Sequence, residues 1–142
     1  MIMDNLYTAE ALSTGAGRNG HVRSTDGRID VDLAVPKAMG GSGEGANPEQ
    51  LFAAGYAACF HSALQSVARV KKIDIQDSSV GALVHIGPNG AAGLQLAVEL
   101  EIVLPGVEPG LAQELAEAAH QVCPYSNATR GNIDVTLTVV DD

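Results

Sequence analysis

The sequence predicts an α+β fold in which mainly antiparallel sheets surround one long, buried central helix. Three observations lead to this prediction. Strand-like runs precede, separate and follow two helical segments, an order typical of α+β folds with antiparallel pairing. One of these runs, residues 28–34 (RIDVDLA), alternates strictly between polar and apolar side chains. The first helical segment is apolar or small on nearly all sides, which is typical of a helix buried in a core.

The first third of the chain is predicted to form short strands followed by a glycine-rich loop. Residues 5–14 and 21–34 have the character of strands, interrupted by the turn GAGRNG and by the pair Asp26-Gly27. An Asp-Gly pair between strand-like runs is a strong signal for a β-hairpin. Residues 36–46 (PKAMGGSGEGA) contain the glycines of the predicted loop.

The long central helix is predicted to extend from Pro48 to about Lys72. Asn47 is a favourable N-cap, and proline is common at the first position of a helix. Gln50 stands where a capping box places Glu or Gln. These signals set the start of the helix, and its apolar sides predict that it is buried.

The second half of the chain is predicted to contain three strands and one more helix. Residues 78–87 and 93–104 have strand character and are joined by PNGAAG. Residues 110–121 have helical spacing, and the loop CPYSNATRGN separates them from a final alternating strand at residues 133–140. Because there is no internal repeat and no long linker, residues 1–142 are predicted to form a single domain.

The charge and hydropathy of the chain exclude several classes of partner. Eight Lys and Arg residues against 17 Asp and Glu residues give a formal charge of −9, which repels the phosphates of nucleic acids. No apolar run reaches the length of a membrane span. The first residues, MIMDNLYTAEALST, lack the features of a signal peptide, so we expect a cytoplasmic protein without a membrane partner.

The chain has two cysteines, and each lies in an unusual segment. Cys59 lies within NPEQLFAAGYAACFHSAL, and Cys123 lies within HQVCPYSNATRGN after the second helix, on a predicted loop. A sulfenic acid on one cysteine condenses with a second thiol to form a disulfide, so such a pair indicates redox chemistry. The alternative is that both cysteines are inert, buried apolar residues.

A cysteine in an apolar helix needs a nearby positive charge to become a thiolate, because burial raises the pKa of a thiol. Arg18 and Arg130 are candidates for this charge, although both suit ordinary exposed loops. Glu49 can stabilise the start of the helix, or it can hold an arginine beside the thiol. Ten residues of straight helix place Glu49 about 15 Å from Cys59. A glutamate that serves Cys59 must therefore come from another subunit, which we favour, or the helix must break near Gly55.

The segments NPEQLFAAGYAACF and VCPYSNATRGNIDVTLTV, with the GRNG turn and the Asp-Gly hairpin, resemble the organic hydroperoxide resistance (Ohr) proteins of the OsmC/Ohr family. The resemblance extends over residues 6–140. It implies an OsmC/Ohr-like fold and an intertwined homodimer with active sites at the subunit interface. It also implies that Cys59 is the peroxidatic cysteine, Cys123 is the resolving cysteine, and Arg18 and Glu49 form the pair that activates the thiol.

The same resemblance implies a thiol-dependent peroxidase that reduces alkyl and lipid hydroperoxides to alcohols in oxidative stress defence. Cys59 would become a sulfenic acid and then form a disulfide with Cys123. No bound cofactor or metal is expected, and the reductant would be an external dithiol of the lipoyl type, dihydrolipoamide or a lipoylated protein. Phe52, Met39 and Tyr125 are candidates to line an apolar substrate pocket, although each suits an ordinary core position better.

A zinc site is one alternative to the peroxidase interpretation. Cys59 and His61, together with His120 and Cys123, make up a possible Cys₂His₂ set. Two residues separated by two positions on a helix point in different directions, so the first pair does not fit a zinc ligand pattern. We assign no other role to His61.

An anion-binding loop is a second alternative. The run GGSGEG precedes the start of a helix, where backbone N–H groups can bind an anion. No Gly-Lys-Ser/Thr sequence follows it, and Glu44 within the loop repels anions. A flexible loop that could cover the thiol is therefore the favoured interpretation.

Overall fold

The computed structural model describes residues 3–140. They form two three-stranded sheets and three α-helices. The chain divides into two compact units, one ending at Leu51 and the other beginning at Phe52. The single domain that the sequence predicts stays a prediction, and the two units are described in turn.

The N-terminal unit contains an antiparallel sheet with the strand order β1-β2-β3. The strands are β1 (Ala11–Thr14), β2 (His21–Ser24) and β3 (Asp30–Asp32). The predicted hairpin is confirmed, since Asp26 and Gly27 lie in the turn between β2 and β3, and Gly27 has a φ of +77°. The first strand is shorter than predicted because β2 offers only four residues for pairing.

The N-terminal unit has very little core of its own. All four residues of β1 are exposed, and 68% of the surface of Leu12 is accessible. Leu33 and Ala34 are the buried apolar residues among those described in this unit. A three-stranded sheet is stabilised by a covered apolar face, and within the single chain much of the apolar surface of this unit is exposed.

Helix α1 (Pro48–Val70) begins with the predicted capping box. The backbone N–H of Gln50 donates to Asn47 Oδ1 at 2.8 Å, and the N–H of Asn47 donates to Gln50 Oε1 at 3.2 Å. The helix continues without a break through Gly55. It ends at Val70, before the predicted end, and Lys72 has a positive φ of 58°.

Helix α1 is buried on one side only within this chain. Tyr56, Phe60 and Leu64 are fully buried in the core, whereas Ala54 and Ala58 on another side are exposed. Burial on all sides, as the apolar composition predicted, is therefore not confirmed for the isolated chain. Within residues 3–140, no helix combines the length and the apolar character needed to cross a bilayer.

The C-terminal unit contains the second sheet, in the order β4-β5-β6. Strands β4 (Ser79–Pro88) and β5 (Leu94–Val103) pair antiparallel, close to the predicted bounds. Strand β6 (Asp134–Val139) pairs parallel to β5, an exception to the mainly antiparallel prediction. The reason is the connection between them, which crosses over through helix α2 (Pro109–Val122) and returns β6 in the direction of β5.

The segment predicted as a loop after α2 contains a short helix instead, α3 (Pro124–Thr129). Pro124 begins it, at a position where the fixed φ of proline suits a helix. The core of the C-terminal unit lies between α1, β5 and α2. Its fully buried large side chains on these elements are Tyr56, Phe60, Leu64, Val98, Leu100, Ile102 and Leu115.

Candidate active site

The two cysteines of the chain are neighbours in the folded C-terminal unit. Cys59 Sγ lies 3.5 Å from Cys123 Sγ, and both thiols are free. The S–S bond of a disulfide is about 2.05 Å long, so a movement of about 1.5 Å would join them. The fold thus brings together the two thiols that the sequence selected as a redox pair.

Cys123 does not lie on a flexible loop, and that prediction was wrong. It is the junction between α2 and α3, where its N–H donates to Ala119 O and its C=O accepts from the N–H of Asn127, each at 2.9 Å. Its side chain is fully buried, whereas Cys59 is half-buried. The more accessible thiol of the pair is therefore Cys59.

Three features of the C-terminal unit determine the pKa of Cys59. Burial has the largest effect and raises the pKa of the thiol. The backbone N–H of Tyr125 lowers this pKa by donating a hydrogen bond, and the thiol of Cys123 raises it again. The net result is a raised pKa, so the C-terminal unit of one chain does not by itself activate Cys59. Sequence reasoning missed the Tyr125 N–H, although Pro124 marks a helix start beside it.

Arg18 and Glu49 form a bidentate ion pair in the N-terminal unit. Nη1 donates to Oε1 at 2.6 Å and Nη2 donates to Oε2 at 3.1 Å. The hydrogen bond that Arg18 donates to Glu49 raises the pKa of Arg18 further above its usual value. The sequence left two alternatives for Glu49, a charge that only stabilises the start of the helix or a partner of an arginine, and the structure shows the pairing with Arg18. The role of the pair in activating a thiol stays a prediction.

The turn that carries Arg18 is tightly constrained. Arg18 lies in a short 3₁₀ turn, Gly17–Asn19, between β1 and β2. A Cβ atom at Gly20 would collide with the carbonyl oxygen of Thr14, so the turn requires glycine there. The Oδ1 of Asn19 accepts the backbone N–H of Val35 at 2.9 Å, which ties the turn to the chain after β3.

His21 holds β2 to β3 beside this turn. Its Nδ1 lies 2.7 Å from Asp32 Oδ1, and its Nε2 lies 2.5 Å from Asp30 Oδ1. These hydrogen bonds, with Asp32 contributing most, raise the pKa of His21. Because the pKa of His21 is higher in the folded protein than in the unfolded chain, the protonated His21 stabilises the fold. This stabilisation is complete below the unfolded pKa of His21 and is lost as the pH rises through its folded pKa.

Arg130, the other candidate cation, has a structural position. Its Nη1 donates to the carbonyl oxygen of His120 at 2.7 Å, and its Nη2 donates to Asn127 Oδ1 at 3.1 Å. A cation at this place satisfies a carbonyl at the C-terminal end of α2. These contacts favour Arg130 as a residue that holds α2 to α3.

Phe52 and Tyr125, two of the three residues predicted to line an apolar pocket, stack on each other. Their ring centroids are 6.1 Å apart with an interplanar angle of 17°. Gly55 allows this approach, because a Cβ atom there would lie 3.1 Å from Tyr125 Oη. The third residue, Met39, is exposed and belongs to the N-terminal unit. A substrate-binding role for the three stays a prediction.

The zinc alternative has no support in the structure. His61 Nε2 pairs with Ser78 Oγ at 2.9 Å, and His120 Nδ1 pairs with Ser126 Oγ at 2.7 Å. Across residues 3–140, no group of three or more His, Cys, Asp and Glu side chains is arranged to hold a metal ion.

The glycine-rich loop uses its backbone N–H groups internally. Gly41 N donates to Pro36 O at 3.1 Å, and Gly43 N donates to Val35 O at 3.0 Å. These two N–H groups are therefore occupied, and the structure offers no support for an anion-binding loop.

Comparisons with known proteins agree on one family. Residues 41–138 match the family described as OsmC-like protein. The chain is 52% identical over 136 residues to the organic hydroperoxide resistance protein of Xanthomonas axonopodis pv. citri, with 94% of each chain covered. It is 45% identical over 132 residues to the organic hydroperoxide resistance protein OhrB of Bacillus subtilis, covering 93% of this chain and 96% of that protein.

A solved structure extends this similarity to three dimensions. The crystal structure of an organic hydroperoxide resistance protein from Elizabethkingia anophelis has a TM-score of 0.92 to this chain at 52% identity. The match covers 99% of this chain and 100% of that one.

Proposed function

This chain belongs to the OsmC-like protein family, and from that premise we propose that it is a thiol-dependent peroxidase that reduces organic hydroperoxides to alcohols. Its α+β fold, with two antiparallel-rich sheets and helices, is that of the family. Its relatives are named for organic hydroperoxide resistance, a defence against oxidative stress. The observation that carries the proposal is the pair of free thiols 3.5 Å apart.

In the first proposed step, the thiolate of Cys59 attacks the terminal oxygen of the hydroperoxide. The O–O bond breaks, the sulfur is oxidised to a sulfenic acid, and the alkoxide takes a proton and leaves as the alcohol. Cys59 is the better candidate for this step because it is half-buried, whereas Cys123 is fully buried.

In the second proposed step, the sulfur of Cys123 attacks the sulfur of Cys59. The S–O bond of the sulfenic acid breaks, water leaves, and a disulfide forms. The distance of 3.5 Å between the two sulfur atoms supports direct transfer without a large rearrangement. An external dithiol, which we propose to be of the lipoyl type, then reduces the disulfide by two exchange reactions.

The Arg18–Glu49 pair is the proposed source of the positive charge that Cys59 needs. The raised pKa of Cys59 in one chain leaves little thiolate at neutral pH, and a guanidinium beside the sulfur favours the charged form. Glu49 fixes the orientation of Arg18 through two hydrogen bonds. The same guanidinium would stabilise the negative charge that develops on the leaving oxygen.

We propose that this pair reaches Cys59 from a second copy of the chain, in a homodimer. Helix α1 is continuous, and the ten residues from Glu49 to Cys59 correspond to about 15 Å of helix. The exposed side of α1, with Ala54 and Ala58, and the exposed strand β1 supply apolar surface for such an association.

The stacked rings of Phe52 and Tyr125 favour an organic substrate over hydrogen peroxide. Both rings belong to the same unit as Cys59, and an alkyl chain gains free energy by leaving water against an apolar surface. Hydrogen peroxide has no such group. We further propose that the protein acts in the cytoplasm, where dithiol reductants keep cysteines reduced.

A steady-state assay tests the proposed function directly. The purified protein is given cumene hydroperoxide or hydrogen peroxide, with dihydrolipoamide or a thioredoxin system as the reductant. We expect turnover with dihydrolipoamide, and kcat/KM higher for cumene hydroperoxide by at least about tenfold, or ~1.4 kcal/mol of transition-state stabilisation. No consumption of cumene hydroperoxide with either reductant would refute the proposal.

A mixed dimer tests whether the active site is shared between subunits. Cys59→Ser and Arg18→Ala chains carrying different tags are co-expressed, and the mixed dimer is isolated by both tags. Each variant alone is expected to be nearly inactive. In the mixed dimer, the intact Cys59 of one chain faces the intact Arg18 of the other, so about half of the wild-type activity should return, from one of two equivalent sites.

The matched control combines Cys59→Ser with Cys123→Ser in the same way. These two thiols are 3.5 Å apart within one chain, so this mixed dimer has no complete site and should stay inactive. If the Arg18→Ala mixture also stays inactive, Arg18 does not act across the interface.

A further inference from the structure

A chain of hydrogen bonds runs through the core behind the two thiols. Tyr56 Oη lies 2.8 Å from Ser126 Oγ and 3.1 Å from Thr129 Oγ1. Ser126 Oγ also lies 2.7 Å from His120 Nδ1. Tyr56, Ser126 and Thr129 are fully buried, so these groups have no access to water. These hydrogen bonds connect α1, α2 and α3.

The number of protons available determines the direction of these hydrogen bonds. Thr129 Oγ1 donates its only proton to the backbone carbonyl of Ser126 at 3.1 Å, so it must accept from Tyr56. Tyr56 then has no proton left for Ser126 and accepts from it. Ser126 in turn accepts from His120, which must carry a proton on Nδ1. Every bond is made only in the order His120, Ser126, Tyr56, Thr129.

The direction does not depend on the charge of His120. Burial, followed by the positive charge of Arg130, lowers the pKa of His120, which favours the neutral ring. The neutral ring with its proton on Nδ1 and the fully protonated ring both donate from Nδ1. In this order of bonds, His120 donates from Nδ1 to Ser126 whether its ring is neutral or charged.

Two of the hydrogen-bonded residues, Ser126 and Thr129, belong to helix α3 and lie close in sequence to two groups that contact Cys59. Cys123, with its sulfur 3.5 Å from Cys59 Sγ, directly precedes the helix. Tyr125, in the first turn, donates its backbone N–H to the Cys59 thiol and lowers its pKa. Ser126 is the next residue and is held by Tyr56 and His120. A six-residue helix has little stability of its own, so these anchors determine where it lies.

We propose that His120, Ser126 and Tyr56 are positioning residues, which hold α3 so that the Tyr125 N–H and the Cys123 thiol both face Cys59. This proposal rests on the proposed function only for the reaction that the thiols perform. Its geometric content, the direction of the hydrogen bonds and their effect on the two thiols, holds for any chemistry of the pair.

Tyr56→Phe is the sharpest test, because it keeps the buried ring and removes only the central hydroxyl. Ser126 then loses its acceptor, and Thr129 loses its donor. We expect the pH profile of Cys59 alkylation to shift to higher pH as the Tyr125 N–H moves away. In dithiol redox buffers, the Cys59–Cys123 disulfide should become easier to reduce by about fivefold to tenfold, because the two buried hydrogen bonds of the Tyr56 hydroxyl no longer hold α3 in place.

The control is Tyr7→Phe, the same chemical change at an exposed tyrosine of the N-terminal unit. It should leave both measurements at their wild-type values. The disulfide is formed with diamide rather than with peroxide, so the test does not require peroxidase activity. If the wild-type protein reduces no hydroperoxide but Tyr56→Phe shifts both measurements, the proposed function fails and the positioning role stands.

Two further experiments test the direction of the hydrogen bonds and cover the case in which Tyr56→Phe does not fold. The ¹⁵N chemical shifts of His120 should identify the Nδ1–H form when the ring is neutral, and a proton on Nε2 alone would overturn the direction of the chain. If Tyr56→Phe does not fold, Ser126→Ala removes the hydroxyl that joins His120 to Tyr56 and should cause the same shifts. A folded variant with unchanged alkylation and disulfide equilibrium overturns the positioning role.

Discussion

Replacing Cys59 with serine is expected to reduce hydroperoxide consumption to the uncatalysed rate. A serine hydroxyl is scarcely ionised at neutral pH and forms no stable equivalent of a sulfenic acid, so the first step has no nucleophile. The shape of the side chain hardly changes, and the position is only half-buried, so the fold should persist. The measurement is the loss of cumene hydroperoxide over time with dihydrolipoamide as the reductant.

The control for this experiment uses the remaining thiol. In Cys59→Ser, Cys123 should be unreactive towards alkylating reagents in the folded protein and reactive after unfolding, since it is fully buried. That result shows that the core is intact. Turnover that persists in Cys59→Ser would show that another group reacts with the hydroperoxide and would remove the proposed mechanism.

The features that the sequence predicted best depend on residues close together along the chain. The capping box joins Asn47 to Gln50, and the hairpin turn needs only Asp26 and Gly27. Such interactions form between residues a few positions apart, so the local pattern contains the necessary information.

Features that depend on distant packing were predicted less well. The short helix α3 has six residues, and its stability comes from the buried contacts of Ser126 and Thr129. The parallel pairing of β6 depends on the path of the chain through two helices. Neither leaves a periodic pattern in the sequence, so the segment of α3 was expected to be a loop and Cys123 to lie on it.

The residues of the candidate site are far apart in the sequence. Cys59 and Cys123 are separated by 64 positions, and Arg18 and Glu49 by 31. Their selection depended on the resemblance to a family and on the scarcity of cations and thiols. Tyr56 and Ser126 were missed because a tyrosine in an apolar helix is most often an ordinary core residue.

In the proposed mechanism, the burial of Cys123 gives the thiol pair a defined order of reaction. Cys59 is the more accessible thiol, whereas Cys123 is fully buried with its sulfur 3.5 Å from Cys59 Sγ. In the resolving role that we propose for it, a shielded Cys123 would be protected from oxidation by the hydroperoxide itself. The fixed position also makes its local concentration at the sulfenic acid high, which favours fast closure of the disulfide.

Replacing Cys123 with serine is therefore expected to separate the first oxidation from turnover. Cys59 should still consume one equivalent of hydroperoxide per chain and become a sulfenic acid, because its own environment keeps the Tyr125 N–H. No disulfide can follow, so excess hydroperoxide should convert the sulfenic acid into sulfinic acid. Mass spectrometry of the treated protein distinguishes these products from the disulfide expected in the wild type.

Steady-state turnover of Cys123→Ser with dihydrolipoamide should be lost, because the oxidised sulfur of Cys59 no longer has a protein thiol at 3.5 Å. A small dithiol must then reach a half-buried sulfur from solvent before a second hydroperoxide does. The comparison is made at equal concentrations of hydroperoxide and dithiol, so that the product shows which of the two reacts faster with the sulfenic acid of Cys59. Wild-type turnover in this variant would mean that the dithiol reduces the sulfenic acid directly, and Cys123 would then have no resolving role.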